Sequence, residues 1–459
     1  MHIAELRQAL DQGSISSVEL TNAIIQKANM AAYVNMFISI CTEKALQAAA
    51  RSDERRRKGT LLSALDGVPF VVKDNFCTNG ILTSCASAML SNFIPPYTAD
   101  AVTDLEQAGM ILLGKMNMDE FAMGFDTTTS FYGPVKNPLD ATRIPGGSSG
   151  GSAAAVGAGL LAVALGSDTG GSVREPAACC GCVGLRPTYG AVSRYGLVAY
   201  ASSMDTVGLL AASVADAEAL LPFLQKSSGH DATTARTPAF VPYSCNHIKH
   251  LSVRVGVLQH NTYTELAARM LAKHSLQIGT ADLPSLAVLP SVYEVLALSE
   301  AATNLARFDG IRFGLHSGNA QTLKTQYHAV RTEGFGRVVQ QRILFGSFVQ
   351  LAENKEKYLL RAMQLRTRVR AEMETIFKQY DVLIMPTMQG KIPLLGASHP
   401  ICDPYCAIAS LCGLPALSLP IGREGDSLPG TVTLCGPAFS EPLLLAMGKL
   451  IEKEDRNAL

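Results

Sequence analysis

The sequence has no surplus of either charge: 39 Lys and Arg stand against 39 Asp and Glu. A neutral chain has no bulk electrostatic reason to hold nucleic acid, so such a contact would need a local basic patch or a partner. Charged residues are scarce at 17% while apolar ones reach 47%, the reverse of a disordered chain. Glu5 and Arg7 fall where a signal peptide would place its apolar stretch, which argues against secretion. The eleven cysteines are scattered and suit a reducing, cytoplasmic setting. Their densest cluster, Cys179-Cys180-Gly181-Cys182, lacks a second Cys pair or a His at ligand spacing, so no metal is expected. Residues 146–167 carry no charge, but seven of those 22 are Gly and only 153–165 is continuously apolar. That falls short of the roughly 20 residues that span a bilayer. It reads as a buried helix after a glycine-rich turn, with no membrane partner. Residues 146–152 lack the GK[ST] ending of a phosphate loop. No histidine occurs between His2 and His230, so a histidine base could come only from the second half.

What is present points to an α/β chain. At roughly 100–200 residues per domain, 459 residues could form several domains or one large α/β unit. Ser16 and Glu19 make a capping box before Val18, Leu20, Ile24 and Ile25. Residues 51–58 are charged and read as a solvated helix end. Gly67-Val68-Pro69-Phe70-Val71-Val72 and residues 110–114 are short buried-strand candidates. Residues 226–250 are polar, a boundary or a surface excursion, and 293–307 and 336–370 are helical. Alternating strands and helices predict a mixed central β-sheet covered by α-helices on both faces. The expected organisation is one domain over 1–459: a helical segment to about 60, a core over about 61–226, and a helical and C-terminal part over about 250–459.

Three places carry residue choices that are costly unless used. Lys73 ends an apolar strand. Gly146-Gly147-Ser148-Ser149-Gly150-Gly151-Ser152 precedes an apolar segment, and Gly166-Ser167-Asp168-Thr169-Gly170-Gly171-Ser172-Val173-Arg174 follows it. A serine nucleophile needs a base, and a neutral lysine can serve. From about 10.4, half-deprotonation near pH 7.4 needs a shift of about 3 units, about 4 kcal/mol, which burial can supply. Ser148 could relay the proton, and the Gly170 and Gly171 amides could face an oxyanion. The pattern suits a Ser–Ser–Lys acyl-transfer site.

Lys73, Ser148 and Ser172, spaced by 75 and 24 residues, resemble the amidase signature family over nearly the whole chain. The resemblance implies Ser172 as the acylated nucleophile, Ser148 as the cis-serine relay and Lys73 as the base, with Thr169, Gly170 and Gly171 supplying oxyanion-hole amides. Within that family the stretches Met118-Asp119-Glu120-Phe121-Ala122-Met123-Gly124, Asn304-Leu305-Ala306-Arg307-Phe308-Asp309-Gly310 and Arg331-Thr332-Glu333-Gly334-Phe335-Gly336 are similar to the glutamine-hydrolysing subunits of tRNA-dependent amidotransferases. By that resemblance Arg342 holds the α-carboxylate of glutamine, Asp403 its α-ammonium, and Tyr293 lines the pocket. A zwitterion needs one fixed cation and one fixed anion, and Arg grips carboxylates bidentately. Read without the resemblance, Arg342 is a helix-surface charge, Asp403 a turn residue and Tyr293 a core aromatic. The resemblance further implies two partner subunits, one large, amidating and tRNA-binding, the other small. ATP and Mg would act in a partner, with no cofactor here, and the expected location is the bacterial cytoplasm, or a mitochondrial matrix or plastid in a eukaryote. The alternatives are a free-standing amidase acting on another carboxamide and a non-catalytic assembly subunit. Thr128 stands where many relatives carry Glu, the segment 254–290 is short, and residues 428–433 depart from the usual last-strand pattern.

Overall fold

The computed structural model describes the chain except residues 236, 245–247, 249–250, 319–320, 398–401, 425–427 and 459. In chain order the strands are β1 (Phe37–Ile40), β2 (Pro69–Lys73), β3 (Ile111–Met116), β4 (Val163–Asp168), β5 (Val183–Arg186), β6 (Thr206–Ala211), β7 (Arg254–Val257), β8 (Gln277–Thr280), β9 (Val382–Pro386), β10 (Ala416–Glu424) and β11 (Leu428–Cys435). They form one mixed sheet in the order β1-β3-β2-β4-β6-β5-β10-β11-β9-β7-β8. β2 runs parallel to β3 and β4, whereas β4 is antiparallel to β6. The expected mixed sheet with helices on both faces is therefore what forms.

Alternation along the strands divides the core. In β9, Val382 and Ile384 join one apolar cluster, with Leu417, Leu419 and the helix Glu441–Ala458. Leu383 and Met385 join the other, with the helices Leu289–Asn304, Arg361–Gln379 and Pro404–Cys412. The Ser16–Glu19 capping box opens the helix Ser17–Met30 as expected. Residues 428–433 pair along β10, and Val432 also pairs with Pro386 of β9. The stretch Leu286–Arg307 is long and apolar enough, by length and composition, to cross a membrane, yet half of its apolar window is buried within the fold.

Two expectations need correction. The apolar segment 153–165 is not one helix: a helix covers Gly150–Gly157, Gly159 turns the chain at φ +68°, and Val163 begins β4. A short apolar run carries no periodicity that separates a buried helix from a buried strand. The charged end of the helix Thr42–Lys58 is also more than a solvated face. Arg55 grips the buried Asp66 with Nε–Oδ2 and Nη2–Oδ1 distances of 2.7 Å each, and Arg56 donates to the Asp66 carbonyl.

Candidate active site

Lys73 is the last residue of β2, fully buried, and its Nζ donates to Ser148 Oγ at 2.7 Å and to Ser167 Oγ at 3.0 Å. Ser167 lies on the neighbouring β4, so strand pairing sets the lysine beside the Ser167 hydroxyl. Burial drives the ammonium down to about 7, against the pull of the Asp119, Asp168 and Asp205 carboxylates. The amine expected to act as base is thus brought near neutrality by the sheet interior.

Ser148 follows a cis Gly147–Ser148 peptide just before the helix Gly150–Gly157. A Cβ on Gly147 would lie 2.2 Å from Asp119 Oδ2, so only glycine lets this turn close. Asp119 is itself held by Thr127 N at 3.0 Å and Thr129 Oγ1 at 2.9 Å. Ser172 precedes the helix Arg174–Cys180, and its carbonyl accepts from Ser149 N at 3.2 Å. Among the described residues, Ser172 Oγ forms no hydrogen bond, and the residue is 7% exposed.

The loop carrying Ser172 is fixed by a buried charge cluster that sequence reasoning missed. Asp168 receives Arg174 Nε and Nη2, each at 2.9 Å, and Arg186 Nη1 at 2.9 Å. Burial raises its pKa, but the two guanidiniums overcome this and hold the carboxyl well below its usual value. Asp168 also accepts from Gly171 N at 3.0 Å. Of the three amides expected to face an oxyanion, that of Gly171 is therefore already engaged. Gly171 has φ +128°, which suits glycine. A signal for the cluster was present, since Asp168 and Arg174 flank the Gly-Gly-Ser, with Glu175 the one further charge nearby. Nothing local pointed to Arg186.

Tyr293 and Arg342 lie on, and Asp403 caps, three different helices. Tyr293, on Leu289–Asn304, lies against Gly170, where a Cβ would stand 2.4 Å from its phenol oxygen. Arg342 lies on Arg337–Gln350, which packs on the Tyr293 helix, and it is buried rather than a surface charge. Asp403 caps the helix Pro404–Cys412, accepting from Tyr405 N at 2.9 Å and Gln389 N at 2.8 Å. Burial raises Asp403 to about 6, opposed by those two amides. Burial, and next the Asp403 carboxylate, push the neighbouring Glu175 up to about 8. The Asp403 and Glu175 carboxyls are both buried, and Glu175 Oε1 lies against Gly171 of the loop that carries Ser172. Cys179, Cys180 and Cys182 are buried free thiols, with Cys182 pushed up to about 12 by burial. Among the described residues no cluster of three His, Cys, Asp or Glu could hold a metal.

A buried lysine, two serines and a glycine-walled loop on a mixed sheet define a class, and comparison identifies it. Residues 19–445 match the Amidase family model, and the chain belongs to that family. It is 42% identical to the A subunit of glutamyl-tRNA(Gln) amidotransferase from Prochlorococcus marinus, covering 99% of this chain and 97% of that one. It is 38% identical to the protein of the same name from Lachnospira eligens, covering 98% and 97%. Among solved structures, the A subunit of the glutamyl-tRNA(Gln) amidotransferase of Thermotoga maritima superposes with a TM-score of 0.77 at 32% identity, covering 99% and 95%. The peptide amidase of Stenotrophomonas maltophilia gives 0.83 at 29% identity, covering 99% and 97%.

Proposed function

We propose that this chain is the glutaminase subunit of a tRNA-dependent amidotransferase, converting glutamine and water to glutamate and ammonia. The observation that carries the reading is Lys73, lowered by burial to about 7 and 2.7 Å from Ser148 Oγ. Neutral Lys73 takes the Ser148 proton while Ser148 takes that of Ser172, and Ser172 Oγ attacks the carboxamide carbon. The oxyanion is met by amides of the 169–172 turn, chiefly those of Thr169 and Gly170. The relayed proton passes to the departing amide nitrogen, ammonia leaves, and water attacks the acyl-ester at Ser172 by the same relay to release glutamate. Arg342 and Asp403 hold the two charged ends of glutamine, and Tyr293 lines the same pocket.

The ammonia is then delivered to a partner that amidates Glu-tRNA(Gln), or Asp-tRNA(Asn), with ATP and Mg. Zero net charge agrees with tRNA contact falling mainly to that partner. The complex would comprise this chain, the amidating partner and a small third protein, in the cytoplasm. Co-expression of the three, with assays of glutamate release and of Gln-tRNA formation, tests the reading. Glutamine turnover without tRNA amidation would leave a plain glutaminase. A second reading, a free-standing amidase, is favoured by the TM-score of 0.83 to a peptide amidase. The buried Arg342 and Asp403 weigh against it, since a hydrophobic amide has no use for a fixed cation and anion.

A further inference from the structure

Asp205 is buried just before β6, where the antiparallel register pairs Thr206 with Asp168 and so brings residue 205 opposite Thr169. The register becomes a contact, because Thr169 Oγ1 donates to Asp205 Oδ1 at 2.6 Å. That is at the short end for two oxygens. The same carboxyl accepts from Tyr200 N at 2.9 Å and from Ala201 N at 3.1 Å. The two backbone amides fix the carboxyl, and the carboxyl fixes the threonine.

Thr169 opens the turn that ends in Ser172, and the polar groups of that turn are divided. The Asp168 carbonyl accepts from Arg186 Nη1, and in a trans peptide the Thr169 N–H points the opposite way. The Gly170 carbonyl accepts from Cys402 Sγ at 3.1 Å, and Gly171 N donates to Asp168 Oδ1 at 3.0 Å. Thr169 and Gly170 are buried, yet among the described residues their N–H groups form no hydrogen bond. Buried backbone donors are nearly always paired. Two free ones in succession, within three residues of Ser172, are open to a ligand atom.

We infer that Asp205 is a positioning residue for the acyl transfer: by gripping the Thr169 hydroxyl it fixes the turn that offers the Thr169 and Gly170 amides to the developing oxyanion. Such donors lower the barrier only when they are already aimed as the charge appears. A Thr-Gly-Gly-Ser turn is loose by composition, since glycine leaves its backbone angles unrestrained. Thr169 has the one side chain between Asp168 and Ser172, and that side chain is anchored across the strand pairing. Asp205 itself touches no reacting atom. The inference rests on the glutaminase reading and deepens it by naming what holds the oxyanion turn.

Thr169→Val, Thr169→Ser, Asp205→Asn and the double variant Thr169→Val/Asp205→Asn test this in the full complex with glutamine. Valine keeps the shape of threonine and loses the hydroxyl. Its kcat is expected to fall about ten-fold or more with KM within about two-fold, a smaller loss than the roughly 100-fold or more for deleting an oxyanion donor. Thr169→Ser keeps the hydroxyl and should stay within about two-fold of wild type. Asp205→Asn should lower kcat in the same way, and the double variant should be no worse than the poorer single one, because both remove one contact. If Asp205→Asn does not fold, the two Thr169 variants decide alone. Wild-type kcat in Thr169→Val overturns the inference, as does a Thr169→Ser loss equal to that of Thr169→Val. So do a KM that rises as kcat falls, or losses that multiply in the double variant. A wild-type complex that leaves glutamine intact sinks the glutaminase reading and this inference together. An active wild type matched by Thr169→Val sinks this inference alone.

Discussion

Lys73 Nζ stands 2.7 Å from Ser148 Oγ inside the sheet, with no exposure to solvent. Stability then depends on where this one proton resides and so, by the proposed mechanism, does activity. A lysine of ordinary pKa, about 10.4, would be charged and useless as a base at pH 7, whereas burial brings Lys73 to about 7.

Activity should follow the neutral form. kcat/KM for glutamine is expected to rise about ten-fold per pH unit below 7 and to level off above it. Lys73→Arg should be inactive at every pH, because a guanidinium does not deprotonate in a protein. Stability has its own sign. Between about pH 7 and 10 the unfolded chain keeps a proton that the folded chain has released, so wild-type stability rises with pH across that window. Lys73→Met removes this dependence and should be more stable than wild type at pH 6, by on the order of a few kcal/mol. Urea unfolding at several pH values measures it. A Lys73→Met curve as steep as wild type would mean the lysine is not buried as a neutral group.

Ser172→Ala should lower glutamine turnover by about 10³ or more while leaving the melting temperature unchanged. The second half follows from the structure, since Ser172 Oγ bonds to no described residue and its backbone carbonyl bond to Ser149 survives the substitution. Retention of a few per cent of turnover would exclude Ser172 as the nucleophile.

The parts of the site legible in the sequence were those whose residue types are costly in isolation. Lys73 ended an apolar strand, and the Gly-Ser stretches flanked an uncharged segment. What stayed hidden depends on distance along the chain or on identical local patterns. Asp168 on β4 meets Arg186 on β5 past the intervening β6, and Glu120 reaches Gly336. The segment 153–165 hid its break because four apolar residues in a row look the same in a helix and in a central strand. The mixed sheet itself was visible because its strands alternate with helices. Its order was not, since β5 pairs with β10 across more than half the chain.

Asp168→Asn is expected to cost about 3–5 kcal/mol, because it leaves the Arg174 and Arg186 guanidiniums buried without their anion. Thermal unfolding should show it directly. Turnover of glutamine and of a small neutral amide should fall together, since the loop that carries Ser172 loosens for both. A loss confined to glutamine would instead give Asp168 a role in substrate binding.

Gly336→Ala tests how the Arg342 helix is seated. Glu120 accepts from Gly336 N at 3.0 and 2.9 Å, at the cap of the helix Arg337–Gln350, and an added Cβ would lie 2.4 Å from Glu120 Oε2. The carboxylate must move, so a loss of about 1–3 kcal/mol is expected. KM for glutamine should rise with it, because Arg342 rides on that helix. A stable variant with unchanged KM would show that the contact does not position Arg342.

The amino-acid clamp separates a glutaminase from an amidase of broader taste, and Asp403 is where the two diverge. Asp403→Asn keeps one oxygen to accept the Tyr405 amide, but turns an NH2 toward the Gln389 N–H that the second carboxylate oxygen accepts. A stability loss of about 0.5–1.5 kcal/mol, that of one hydrogen bond, is therefore expected, and thermal stability measured alongside shows whether the comparison is fair. What is lost is the negative charge opposite the α-ammonium. A hydrogen bond to a charged group is worth about 1.5–3 kcal/mol, so kcat/KM for glutamine should drop at least ten-fold. Hydrolysis of a small uncharged amide should continue at the wild-type rate, because Lys73, Ser148 and Ser172 are untouched. The same charge predicts a pH effect. Asp403 lies near 6, so KM for glutamine in the wild type should climb as pH falls below that value, and the climb should vanish in Asp403→Asn. Equal losses on both substrates would make Asp403 a structural cap only, and no loss on either would shift the reading to a free-standing amidase.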